Sequence, residues 1–402
     1  MRPYGRHATM RTSWLQLEEE NLFQAIRARR SRAQEQGVKL IDLSIGEPRG
    51  PALLSAREAA ATAIMSDKEE MHRYQYNDSP GVPGFAKMFA EYNVGHSIEQ
   101  EDVAFLPIPG IKRMLGLIPL ACGASHQTIT VGAMTDPGYP FPKDWNTYLG
   151  VEHYALSLNQ ENTFRFSPED IHPNTRLLML NYPHNPSGRV ADRGWWERLC
   201  EHCVENDIRL FNDGAYATLT HSTEACALTE VAVNFPELSW VEAFSASKVI
   251  GNGTGWQVGA MAGSPDFIAD LGKVKGNTDE GFVAAMAAGV KSACENDQES
   301  IEERREMFCS RLSFFIEMLK RHGMQIAVEP DAAFFTLWNT PTRAFGIEID
   351  SAEQFNFLMI ERTGVIGVHF DPSYIRYAVC ADVESIADEI DSAFQQAEIS
   401  YE

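Results

Sequence analysis

The stretch Ser245-Ala-Ser-Lys-Val-Ile-Gly-Asn-Gly-Thr-Gly-Trp-Gln-Val-Gly259 decides how this chain is read. The apolar run Trp240-Val-Glu-Ala-Phe244 leads into it and predicts a buried strand. A lysine just past a strand end, among small residues, sheds water and its pKa falls. Its amine then becomes a nucleophile toward an aldehyde. Ser245 and Ser247 are short hydroxyl donors that suit a phosphate, and the glycines let backbone approach a ligand closely. The plain alternative is a solvated lysine, Lys248, in a flexible loop. Gly251, Gly253 and Gly255 imitate a dinucleotide fingerprint. They lack the strand–helix context and the following acidic residue, so that reading is discounted.

Partners stand upstream and downstream at telling places. Asp213-Gly-Ala-Tyr216 follows the strand-like Ile208–Phe211, and Asn181-Tyr-Pro-His-Asn-Pro-Ser-Gly188 follows Arg176–Leu180. Arg376 sits within Tyr374-Ile-Arg-Tyr-Ala-Val379. Order and spacing together resemble the class I/II aminotransferases, pyridoxal-phosphate enzymes of fold type I, over roughly residues 40 to 395. The resemblance implies an α/β fold. A large cofactor domain with a mostly parallel sheet (50–280) is expected beside a small α/β domain (281–402). Residues 1–49 are expected as an N-terminal arm and a small-domain segment. It implies a homodimer with shared active sites.

The resemblance also assigns roles. Lys248 holds pyridoxal 5′-phosphate as a Schiff base and moves the substrate Cα proton. Asp213 faces the pyridine nitrogen and keeps it protonated, so that the ring accepts electrons. Asn185 and Tyr216 donate to the phenolic oxygen. Asn185 is also counted with the substrate contacts. Tyr139, in Asp136-Pro-Gly-Tyr-Pro140, stacks on the ring. Gly110, Ile111 and Lys112 form the phosphate turn with Ser245 and Ser247. Tyr76, five residues before Gly81, reaches the phosphate of the neighbouring subunit. Arg376 binds the substrate carboxylate. Gly46 in Gly46-Glu-Pro48 lies near the substrate, and Asn277 looks into the site.

Two departures stand out. The family carries an arginine eight residues after the lysine, where it clamps the phosphate. Here Gln257 stands nine residues after Lys248. Gln257 is therefore counted with the substrate site, and Lys112 is expected to supply the phosphate's counter-charge. The stretch Gly364–Tyr374 is shortened and lacks the family's Pro-Gly-x-x-Phe-Gly. The leading expectation is an aminotransferase acting on an α-amino acid. The alternative is elimination, substitution or cyclisation with the same cofactor. A cofactor-binding regulator without turnover stands far behind.

Composition agrees with an enzyme of small molecules. The chain has 402 residues, 44% of them apolar, enough for two sizeable cores. With 34 Lys and Arg against 56 Asp and Glu, the net charge is −22. That charge disfavours nucleic acid and anionic membranes. No apolar run reaches membrane-spanning length, and no apolar segment follows the basic Met1–His7, so a secretory signal is not expected. Seven scattered cysteines fit a reducing cytoplasm. Cys200-Glu-His-Cys203 reads as one helical turn rather than a metal site, since no second ligand pair stands nearby. An amphipathic helix is expected over 14–32, and another over 298–322.

Overall fold

The computed structural model describes residues 22–402. The expected helix over 14–32 falls partly outside them. Its described part is the helix Leu22–Glu35.

Seven strands form the main sheet: β1 (Ala104–Ile108), β2 (Thr130–Ala133), β3 (Glu152–Ala155), β4 (Thr175–Leu180), β5 (Arg209–Asp213), β6 (Trp240–Ser245) and β7 (Gly259–Gly263). Their spatial order is β1-β7-β6-β5-β4-β2-β3. From β6 to β3 every pair is parallel, whereas β7 runs antiparallel to both β6 and β1. The middle strands are buried along nearly their whole length, as helices on both faces require. One face is covered by Trp195, Trp196 and Leu199 of the helix Arg193–Glu205. Cys200 and Cys203 lie on this inward side of the same helix, both buried as free thiols. The other face packs Ile118, Phe267 and Leu271.

β7 was not anticipated from the sequence. Gly-Ala-Met-Ala-Gly has none of the branched or aromatic residues that mark a strand. Contact with the backbone explains that composition. A Cβ on Gly259 would lie 2.4 Å from the Phe244 carbonyl, and one on Gly263 would lie 2.4 Å from that of Trp240. β3, and the strand Val368–Phe370 within the shortened C-terminal loop, were also missed. After Gly110 come two short helices, Ile111–Met114 and Leu117–Ala121. Between them the ring of Trp145 lies where a Cβ on Gly116 would stand, at 2.6 Å.

A second, antiparallel sheet contains β8 (Ile326–Val328), β9 (Phe335–Asn339), β10 (Val368–Phe370) and β11 (Tyr374–Ala378), in the order β10-β11-β9-β8. The helix Gln298–Arg321 leads to it, and Phe315 and Leu319 of that helix pack against Phe335 and Tyr377. The N-terminal segment packs beside this sheet rather than the large one, in a separate two-stranded parallel sheet. Ile41–Asp42 pairs with Val365–Ile366, and Leu43 accepts from the Ala378 N–H at 2.7 Å. Helix Ala284–Asn296 packs instead beside the main sheet, with Ala287 and Val290 in one cluster with Ala56, Phe244 and Ala260.

Candidate active site

Parallel strands end together, so the loops that follow them meet at one edge of the sheet. Gly110 follows β1, Tyr139 lies beyond β2, Asn181 and Asn185 follow β4, Asp213 ends β5, and Lys248 lies three residues past β6. Because β7 runs the other way, Gln257 enters the same edge from its start. Arg376 is brought from β11 of the second sheet, and Ser44, Gly46 and Glu47 come from the N-terminal segment. Together these residues wall a cavity of about 680 Å³.

Asp213 is buried and pairs its carboxylate with the Ala215 N–H at 3.1 Å. Burial pushes its pKa up to about 6, opposed by that N–H and by Lys248. Lys248 keeps part of its surface on the cavity, but protein atoms crowd its amine and push its pKa down. Cys380, Asp213 and Glu47 oppose the shift. The two groups therefore lie within electrostatic reach of each other across one cavity, and Lys248 makes no ion pair or hydrogen bond among the described residues.

A chain of amides orders the floor. Asn181 Nδ2 donates to the Asp213 carbonyl at 2.8 Å, and the Asn185 N–H donates to Asn181 Oδ1 at 2.9 Å. Arg376 Nη1 then donates to Asn185 Oδ1 at 2.6 Å, and Nη2 to the Ser44 carbonyl at 2.6 Å. With its oxygen taken by a guanidinium, Asn185 is left with its amide donors for the cavity. Arg376 is buried, with no carboxylate partner among the described residues and with its Nε unpaired. Burial lowers its pKa to about 10, which leaves it cationic at neutral pH. The Phe335 ring lies under its guanidinium at 4.5 Å.

The remaining expected residues divide. Tyr139 lines the cavity beside Phe141, its ionisation opposed by burial and by Asp213. Tyr216 is buried edge-on against Phe334 and Phe335. Ser245 donates to Ser247 Oγ at 2.9 Å, and both line the cavity. Gly110, at φ 88°, adopts a conformation that favours glycine. Ile111 is buried beside it on the same wall. Lys112 also lies on this wall, with its ammonium 3.6 Å above the Phe141 ring. Gln257 reaches the wall with φ 55°, an unusual conformation for a side-chain-bearing residue. Gly46 lines the cavity where Phe335 leaves room for little more, since a Cβ there would meet its ring at 3.0 Å.

Two expected residues stand apart from the cavity. Tyr76 is 48% exposed and packs on Tyr74 at a centroid distance of 5.5 Å. Its loop is held by the buried Lys275, which donates to the Tyr76 carbonyl and pairs with Asp279 at 2.9 Å. Asn277 is exposed and donates to the Lys273 carbonyl. Ser44, Asn181, Thr254 and Phe335 also line the cavity wall, beyond the residues expected from the sequence. Asn181 had a visible signal, since it follows β4 directly.

The mostly parallel sheet with a cavity at its strand ends defines an α/β architecture with a ligand-sized site, and comparison with known proteins gives the family. The model for aminotransferase class I and II matches residues 38–387, so the chain belongs to that family and is an aminotransferase. It is 28% identical to an LL-diaminopimelate aminotransferase of Syntrophobacter fumaroxidans, over 96% of this chain and 98% of the relative. Among solved structures, substrate-bound BacF from Bacillus subtilis superposes with a TM-score of 0.81 at 20% identity, covering 96% of both chains. A single mutant of Thermus thermophilus aspartate aminotransferase gives 0.81 at 22% identity, covering 96% of this chain and all of that one. These two likenesses concern the fold, which is fold type I. No helix among the described residues is long and apolar enough to cross a membrane.

Proposed function

We propose that this chain binds pyridoxal 5′-phosphate in the cavity between its two sheets and transfers the amino group of an α-amino acid. The carrying observation is the pair Lys248 and Asp213. They are buried groups of opposite charge on one cavity, each short of partners and each shifted toward neutrality. The donor set fits the cofactor. A buried carboxylate suits a pyridinium N–H, Asn185 and Tyr216 offer donors to a phenolate, and Tyr139 offers a ring face. Gly110, Ile111, Ser245 and Ser247 would hold the phosphate, with Lys112 supplying counter-charge. When bound, the cofactor supplies the electron sink that makes the substrate Cα–H acidic.

The protein's own part follows from these positions. Lys248 Nζ, whose charged form burial disfavours, would hold the cofactor, and the same amine would take and return a proton at the substrate Cα. Arg376 holds the α-carboxylate and is itself aimed by Asn185, Ser44 and Phe335. The working unit in this reading is a homodimer, in which the exposed Tyr76 completes the partner's phosphate site. Gln257 borders the substrate. The relatives named for LL-diaminopimelate support an amino-acid substrate with polar groups at both ends. Borohydride reduction of the cofactor-loaded protein, followed by peptide mapping, tests the assignment. A pyridoxyl adduct on Lys248 is expected, and an adduct on another lysine, or none, overturns it.

A further inference from the structure

The cavity wall carries six cationic side chains and three carboxylates, in a chain with 56 acidic residues against 34 Lys and Arg. A local excess opposite in sign to the whole molecule concentrates an anionic ligand at that opening. The three carboxylates have partners or a role. Asp42 pairs with Arg30 at 2.8 Å and accepts from the Ser44 hydroxyl at 2.7 Å. Glu47 accepts from Asn252 at 3.1 Å and from Thr254 at 3.0 Å, and Asp213 belongs to the cofactor. Among the cations, Lys112, Lys248 and Arg376 serve cofactor and α-carboxylate in the reading above. Arg27 and Arg113 are left over. Both are exposed on the cavity wall, and neither side chain has a hydrogen bond or ion pair among the described residues.

They reach the cavity wall from two different parts of the fold. Arg113 lies on the turn after β1 of the main sheet. Arg27 lies on the helix Leu22–Glu35, whose rotation is set by its packing. Ile26 is buried with Ile360, Ile366 and Val368. Arg29 pairs with Glu361 at 2.5 Å and covers the Phe357 ring. Arg30, three residues on from Arg27, is tied to Asp42, so Arg27 shares the face that looks over the cavity.

We propose that Arg27 and Arg113 form a subsite for the far end of the substrate, so that the preferred substrates are α-amino acids whose side chain ends in a carboxylate. The proposal rests on the aminotransferase reading. A planar guanidinium matches a carboxylate in a two-pronged geometry. With Arg376 and these two guanidinium groups lining one cavity, a substrate with two carboxylates would set one on Arg376 and the other here.

The test compares glutamate with glutamine and 2-aminoadipate with norleucine, by kcat/KM and by the dissociation constants of 2-methylglutamate and 2-methylglutamine read from cofactor absorbance. The wild type should favour the anionic member of each pair by about tenfold or more, as a charge-assisted hydrogen bond allows. Arg27→Gln and Arg113→Gln should each lower the preference several-fold, and the double variant should bring it close to one. Arg27→Lys and Arg113→Lys should keep part of it, and added salt should raise KM for glutamate more than for glutamine. A wild type that shows no preference for the anion, or a double variant that keeps the full preference, overturns the subsite while a labelled Lys248 leaves the aminotransferase reading standing. Failure to label Lys248 overturns both.

Discussion

Asp213 shows how a catalytic group costs stability. Its pKa is about 6 in the folded chain against an ordinary 3.8. Between these values the folded cofactor-free protein holds a proton that the unfolded chain has released. The direction is opposite to that of a salt-bridged acid. The contribution is fully favourable below about pH 4 and is lost as pH rises through 6, a change of about 3 kcal/mol. Asp213→Asn keeps an acceptor for the Ala215 N–H and removes the charge. The cofactor-free variant should therefore melt higher than wild type at pH 8, with the gap closing toward pH 4. The same change should weaken pyridoxal phosphate binding by about tenfold or more, because a buried charged hydrogen bond is lost. Thermal melts with and without cofactor at both pH values check this, and equal melting temperatures at pH 8 without cofactor would count against the buried-charge argument. At this scale much of the site was legible. Lys248, Asp213, Asn185 and Tyr139 follow strands that their own apolar runs reveal. Phe335 and Ser44 were not, because nothing in an apolar pair or a lone serine tells it from core or turn.

The elements differ in legibility for a physical reason. β4 and β6 announce themselves through continuous apolar runs, whereas β7 is made of residues chosen for what they leave out. Its glycines lie against carbonyls of the neighbouring strand. Gly263 stands at the end of β7 far from the site, so Gly263→Ala tests the strand without touching the chemistry. A Cβ there would lie 2.4 Å from the Trp240 carbonyl and 2.7 Å from Val241 Cγ2. The strand pair must spread, at a cost of about 1–3 kcal/mol as for other overpacked cores. A denaturant midpoint that does not fall would show that β6 and β7 yield there freely. The break at Gly116 has the same origin. The local pattern continues the helix, and the ring of Trp145, remote in sequence, occupies the space beside it.

For the whole molecule, the question is how many chains make one site. Tyr76 stands outside the cavity and is exposed, as are Tyr74 and Val283. If it serves the partner's phosphate, inactive variants should complement each other. Lys248→Ala and Tyr76→Ala homodimers, unfolded together and refolded, should yield hybrids in which one of the two sites is intact. Recovered activity approaching about a quarter of the wild-type level follows from random pairing with one working site per hybrid. No recovery, from variants that do refold as mixed dimers, would remove Tyr76 from the partner's site. The order of motifs along the chain was enough to establish the α/β class, the family, and the set of groups at the strand ends. Parallel strands bring their following loops to one edge whatever else the chain does, so that information is local. Tertiary structure alone decided that Arg376 is aimed by Asn185 and Ser44, that Phe335 lies beneath it, and that Arg27 and Arg113 line one cavity. Those residues come from separate segments, from about 40 to more than 300 positions apart, and such pairing leaves no periodicity in any one stretch of sequence.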